Sequence, residues 1–323
     1  MPDTQQQFLQ HLKIKHPVIC GPMYPCGNPE LVAAVSQAGA MGVVQPVSLT
    51  YVFGYDFRQG LKYIRSLTDK PIGINALIEG NNKRYHQRMA EWIDIALEEG
   101  VRFFITSLGK PNWVVDQVQA QQGIVYHDVT EAKWAEKALQ AGVDGLIAVN
   151  NRAGGHAGQL TATALIQDLK QFEVPVICAG GIASASSYAE VMDLGYAGVQ
   201  MGTRFIASKE CSASDDYKQA IIEASEQDIV LSEKVTGVPV SMINTDTVKR
   251  MGVKTGWLEK QLSQFNRLKH WLRVIRVLRS YKRLQQASSG LSQKDHFWQA
   301  GKSVAEIDCV LPVTEIIHRL VKA

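Results

Sequence analysis

The segment Asn150-Asn151-Arg152-Ala153-Gly154-Gly155-His156-Ala157-Gly158 sets one imidazole among three glycines. Such a stretch makes a poor core and a good mobile loop. It can carry a histidine into a cleft, where an ordinary pKa of ~6.5 lets the ring exchange protons near neutrality. The bland counterpart is a surface histidine in a flexible turn. Two further segments, Ala179-Gly180-Gly181-Ile182-Ala183-Ser184 and Met201-Gly202-Thr203-Arg204-Phe205, are short glycine turns that each open a helix. Glycine lets backbone N–H groups approach an anion without a Cβ in the way. The helix N-terminus adds a favourable dipole of ~0.3–1 kcal/mol, and Thr203 can add a hydroxyl donor. One such turn is only a turn, whereas two at one corner of a sheet favour a phosphate site. No residue set has metal-ligand spacing.

The elements that must position these loops follow from periodicity. Short apolar runs, mostly rich in Val and Ile, fall at Val18–Gly21, Gly42–Gln45, Ile72–Ala76, Phe103–Thr106, Ile124–His127, Gly145–Val149, Val176–Ala179 and Gly198–Met201. They are continuous rather than alternating, which suits parallel strands buried on both faces. Helical stretches lie between them, and QAGAMG, EEGVRF, QQGIVY, QAGVDG and DLGYAG each place a glycine just past a helix. Eight strand–helix units of ~25 residues predict an α/β fold, a (β/α)8 TIM barrel, rather than a doubly wound sheet. The turn after the first strand, CGPMYPCG, lacks the GxGxxG of a Rossmann fold. In a barrel the glycine turns follow strands 7 and 8, and the histidine loop follows strand 6, all on the active face.

Beyond Glu210 the rhythm stops. Residues 211–299 read as helical, without a convincing strand pair, and Trp257–Leu284 is a long amphipathic run. Residues 247–284 carry eleven Lys/Arg against the single Glu259, so the remaining 285 residues hold a net charge of −7. The basic run is either a solvated helix face or a guide for a phosphate-bearing substrate or cosubstrate. The organisation is therefore a barrel over 1–210, an inserted helical subdomain covering the substrate over 211–299, and a C-terminal helix over 300–323 that returns to the barrel. The 323 residues carry a net charge of +3, five scattered cysteines and no long apolar run. That profile fits a soluble cytoplasmic protein with reduced thiols, without nucleic-acid or membrane partners.

Gly21-Pro22-Met23 after strand 1, Gly73-Ile74-Asn75, SLGKP after strand 4, AGGHAG, AGGI and MGTRF stand in an order that resembles the 2-nitropropane-dioxygenase-like flavoproteins. That group includes nitronate monooxygenases and flavin-dependent enoyl-acyl-carrier-protein reductases. The resemblance covers about residues 14–210 and the final helix, and it implies an FMN-containing barrel. The FMN phosphate would lie on Gly180, Gly181, Gly202 and Thr203, with Gly155, Ala179 and Met201 also at the cofactor. The ring would contact Gly21, Pro22 and Met23, and Asn75 would hold flavin or ribityl polar atoms. His156 matches the histidine these enzymes place over the flavin as proton acceptor or donor. The chain departs from several relatives after strand 5, reading His127-Asp128 where they carry a basic residue. The implied activity is oxidation of a nitronate or nitroalkane with O2 to a carbonyl compound and nitrite. The alternative is an NAD(P)H-dependent reductase or dehydrogenase acting on a CoA or acyl-carrier thioester or a quinone.

Overall fold

The computed structural model describes residues 2–79, 82–234, 239–253 and 297–322. Eight parallel strands close into a barrel in sequence order. They are β1 (Val18–Cys20), β2 (Met41–Val44), β3 (Ile72–Leu77), β4 (Phe103–Ser107), β5 (Ile124–Val129), β6 (Gly145–Val149), β7 (Val176–Ala179) and β8 (Gly198–Met201). The expected TIM barrel is the observed fold, and each strand lies within two residues of its sequence-derived bounds. Helix α1 (Pro2–Leu12) precedes the barrel. The outer ring comprises α2 (Pro29–Gln37), α3 (Phe57–Leu67), α4 (Lys83–Glu98), α5 (Asn112–Gln119), α6 (Ala132–Gln140), α7 (Ala162–Leu169) and α8 (Ala185–Asp193). Four of the five expected glycine caps are left-handed: Gly39, Gly100, Gly142 and Gly195. After α5 the left-handed residue is instead Gln122, while Gly123 leaves room for Val118, whose Cγ1 would lie 2.5 Å from a Cβ there.

Alternation along each strand sends one set of side chains outward against the helices and the other into the barrel. Closure of eight strands requires the level to advance by one residue per strand. Applied to the observed pairings, this step returns from Ile19 to Ile19. Ile19, Gly73, Tyr126 and Ile177 therefore share one layer, with Met41, Phe103, Gly145 and Gly198 below it. The glycine gaps are filled by neighbours. A Cβ on Gly73 would lie 2.8 Å from Phe103, one on Gly145 2.5 Å from the Tyr126 ring, and one on Gly198 2.6 Å from Phe8. Phe8 and Leu12 come from α1, which closes the lower end of the barrel, and His11 Nδ1 lies 3.1 Å from the Tyr126 hydroxyl. The polar, glutamine-rich N-terminus thus contributes a plug, which the sequence reading did not anticipate.

The expectation that 211–299 is helical needs correction. After α9 (Thr203–Ile206) and α10 (Asp215–Glu223), β9 (Ile229–Ser232) pairs antiparallel with β10 (Val240–Ile243), and α11 (Asp246–Met251) follows. Ile229 and Val230 in β9 and Val240 and Ile243 in β10 are β-branched and favour a strand, and Val240 and Met242 are buried. The amphipathic run Trp257–Leu284 and most of the basic segment lie outside the described residues. Helix α12 (Val313–Val321) packs against α2 and α8. Arg204 of the MGTRF motif serves this return path: buried, it donates from Nη2 to the carbonyls of Ala207 and Cys309, both at 2.6 Å. Among the described residues no helix is long and apolar enough to cross a membrane.

Since Phe8 fills the gap over Gly198, Phe8→Ala should cost about 3–5 kcal/mol in denaturant-monitored stability. A loss below about 1 kcal/mol would show that α1 merely decorates the barrel.

Candidate active site at the barrel mouth

Two residues above the Ile19 layer stand Gly21, Asn75, Asp128 and Ala179. Two of the four have no side chain or only a methyl, so this layer is half empty. Over Gly21 the neighbour is the polar Gln200 side chain rather than a ring of the kind that Phe103, Tyr126 and Phe8 set over the glycines below. The polar groups bordering the opening are buried without partners: Asn75 Oδ1, Asp128 Oδ1 and, from the layer just beneath, Gln200 Oε1. Three sealed oxygens lacking donors around one opening is a costly arrangement for an unliganded core, at about 1–3 kcal/mol each. Gly21 continues the barrel ladder by donating to the Met201 carbonyl at 3.0 Å, and a Cβ on it would meet the Gln200 side chain at 3.0 Å. Met23 leans toward the neighbouring turn, its Sδ 3.4 Å from where a Gly202 Cβ would stand.

His127 and Asp128 are adjacent in sequence and face opposite ways. His127 points to the helices, 2.8 Å from Thr106 Oγ1, and burial pushes its pKa down to about 4. Asp128 faces the barrel, and burial raises its carboxyl to about 7. Met201 also faces outward: its side chain lies in the helix-side core, so the mouth sees only its backbone.

The two glycine turns end the neighbouring strands β7 and β8. Gly180 and Gly181 both have positive φ, at 117° and 85°. A Cβ on Gly180 would stand 2.5 Å from Asn150 Oδ1 and from the Ala153 nitrogen, so no other residue fits there. Buried Asn150 is the brace: its Nδ2 donates to the Gly180 carbonyl at 2.8 Å, and its Oδ1 accepts from the Arg152 amide at 2.8 Å. Thr203 Oγ1 accepts from the Gly301 amide at 2.9 Å, which leaves its own hydrogen to donate. Gly301 and Lys302 were not foreseen. They reach this corner through tertiary return of the chain, with the Lys302 amide donating to the Arg152 carbonyl at 2.9 Å. Arg152 and Lys302 share the carboxylate of Glu226, at 2.9 and 3.3 Å, leaving one net positive charge at the corner.

The loop after β6 packs on that corner. A Cβ on Gly154 would stand 2.9 Å from the Gly301 nitrogen and 3.5 Å from Thr203 Oγ1. Gly155 has φ 68°, and its carbonyl accepts from the Ser241 amide of β10 at 2.8 Å. His156 thus sits on a loop braced by Asn150 and clipped by the unforeseen hairpin. The residue is exposed and makes no hydrogen bond among the described residues. The protein around it still desolvates it enough to lower its pKa below 6.5, keeping it neutral at neutral pH. The mouth therefore brings together buried oxygens without partners, two left-handed glycines near one net positive charge, and a histidine on the loop after β6.

Comparison with known proteins agrees with this geometry. The nitronate monooxygenase family profile matches residues 5–323. A (3aS,4S,5R,7aS)-5-hydroxy-7a-methyl-1-oxo-octahydro-1H-indene-4-carboxyl-CoA dehydrogenase of Rhodococcus jostii (strain RHA1) is 30% identical over 239 residues, or 74% of this chain. The match spans 65% of that relative, just under two thirds of its length. A probable nitronate monooxygenase of Staphylococcus saprophyticus is 29% identical over 282 residues, covering 74% of this chain and 79% of that protein. Among solved structures, FabK from Thermotoga maritima superposes with a TM-score of 0.80 at 27% identity, covering 98% of this chain and 94% of its own. Nitroalkane oxidase from Streptomyces ansochromogenes shares the fold, with a TM-score of 0.78 at 20% identity and coverage of 97% and 96%. With the barrel, its open mouth and a profile match across almost the whole sequence, the chain belongs to the nitronate monooxygenase family of oxidoreductases.

Proposed function

We propose that the chain binds FMN at the barrel mouth and oxidises alkyl nitronates, or the nitroalkanes that give rise to them, with O2 to carbonyl compounds and nitrite. The observation that carries this reading is the half-empty layer of Gly21, Asn75, Asp128 and Ala179, with its unpartnered buried oxygens. A flat heteroaromatic ring with polar edges suits that gap, and a ring N–H answers an orphaned amide oxygen. The phosphate then belongs to Gly180, Gly181, Gly202 and Thr203, with Arg152 and Lys302 adding charge. Gly21, Pro22 and Met23 form the wall on the β1 side, and Gly155 and Ala179 complete the enclosure.

When bound, FMN would supply the redox chemistry that links a carbanion-like nitronate to O2. The residues supply position and proton transfer. His156, neutral because its pKa is lowered, accepts the α-proton of a neutral nitroalkane. Once protonated, it is the cation that pairs with the nitronate just formed. A preformed nitronate needs only the second role.

A second reading is favoured by the Rhodococcus relative named a CoA dehydrogenase and by the FabK likeness. In it, the chain is an NAD(P)H-dependent reductase or dehydrogenase acting on a CoA or acyl-carrier thioester or a quinone, and FMN at the same site would supply the redox chemistry.

Purified FMN-loaded protein should consume oxygen and release nitrite when given a preformed nitronate; absence of both would end the first reading. Rapid anaerobic bleaching by NADH or NADPH would instead support the second. His156→Ala should lower turnover of neutral nitroalkanes by about 10²–10⁴-fold and leave preformed nitronates far less affected. Equal losses on both substrates would remove the base role. For the wild type, turnover of neutral nitroalkanes should fall as pH drops below 6.5 into the range where the His156 ring takes up a proton. A rate flat through that range would count against His156 as the acceptor.

A further inference from the structure

Asp128 is the only ionisable side chain in the half-empty layer, and no step above uses it. Its Oδ1 is sealed from solvent and has no hydrogen-bond partner, while the residue as a whole remains partly open. The inward residues around it are uncharged: Ser107 from β4, Val149 from β6, Asn75 from β3 and Ala179 from β7. His127 faces away, bonded to Thr106, and Arg152 is paired with Glu226. Glu131, just beyond β5, is paired with Lys133, His156 stands on the loop after β6, and Glu79 and Lys110, after β3 and β4, are exposed beside α4 and α5. A carboxylate at this level therefore has no counter-charge among the described residues, and a neutral carboxyl has a hydrogen to donate into the opening.

We propose that Asp128 contacts the bound flavin and sets its reduction potential, donating a hydrogen bond to the ring as a neutral acid and opposing the ring's reduction as an anion. This rests on the FMN reading. Reduction by dithionite brings two electrons and one proton to the ring, leaving it with one negative charge. Where Asp128 is ionised beforehand, a further proton from solvent neutralises its carboxylate as that charge arrives. Burial, which raises the carboxyl to about 7, places the change within the working pH range. The sign follows. Below about pH 7 the carboxyl is already neutral and costs the reduced ring nothing. As pH rises through that value, the anion makes reduction progressively harder.

The test is the midpoint potential of FMN-loaded wild type and Asp128→Asn, titrated with dithionite against reference dyes from about pH 6 to pH 9. The two should agree at the acid end and separate with rising pH. At the alkaline end the variant should be favoured for reduction by at least about tenfold, ~30 mV for a two-electron couple. Asp128→Ser, which keeps a donor without a charge, should follow the Asn variant. Should both variants lose their flavin, the wild type alone decides: a protonated-carboxyl infrared band at pH 6 must vanish by pH 9. Parallel potential profiles in loaded proteins, or an infrared spectrum without that transition, overturn this proposal and leave the FMN reading standing. A purified wild type that holds no flavin overturns both.

Discussion

Closure of eight parallel strands is the constraint on which the site depends. It forces inward side chains from alternate strands to share a level, so each level is either packed by four residues or left with a hole. Lower in the barrel, every glycine gap is taken by a neighbouring ring: Phe103 over Gly73, Tyr126 over Gly145, Phe8 over Gly198. At the level of Gly21 and Ala179 the construction changes: the neighbour over Gly21 is the polar Gln200 side chain, not a ring. Well-packed lower layers hold the strands rigid, and the upper one, with its small residues and orphaned oxygens, is where a ligand would find a rigid seat. The buried oxygens of Asn75, Asp128 and Gln200 fit this division, since native cores rarely leave such atoms unpaired unless something else completes them.

The rim is assembled differently, from loops far apart in sequence. Asn150 braces both the Gly180 turn and the start of the histidine loop, so the glycine turn after β7 and the loop that carries His156 share one foundation. Gly301 and Lys302 close that corner from the end of the chain, and Glu226 offsets one of the two cations there. At a corner that takes an anion, such partial neutralisation bears on selectivity. Two bare cations would attract any anion strongly, whereas one net charge with a set of oriented N–H groups depends more on shape.

Much of this was legible in the sequence because it is local. Continuous Val/Ile runs separated by capped helices reveal a parallel barrel, and glycine doublets at strand ends reveal where backbone must come close. What escaped was tertiary. The α1 plug depends on Phe8 meeting Gly198, a contact no window of sequence contains. The β9–β10 hairpin is short and embedded among helical residues, so its β-branched runs carried little weight. Between His127 and Asp128 the decision was one of parity. A single-residue difference in strand phase sends one side chain to the helices and the other to the mouth, and only the register pairs fix it. Met201 illustrates the same point, since its place in a promising motif did not turn its side chain toward the site.

The clip between Ser241 and Gly155 has a consequence beyond support. On its free edge β10 also exchanges bonds with the 298–300 stretch, through Ile243 to Trp298 and Ala300 to Ser241. The imidazole loop is thus the outermost rung of a small ribbon whose other rungs come from late in the sequence. Linkage is reciprocal: any molecule that steadies the loop must stabilise the ribbon by the same free energy, and fraying of the ribbon must loosen its grip in equal measure. The solvent protection of one strand amide becomes a gauge of how firmly the barrel's rim is held.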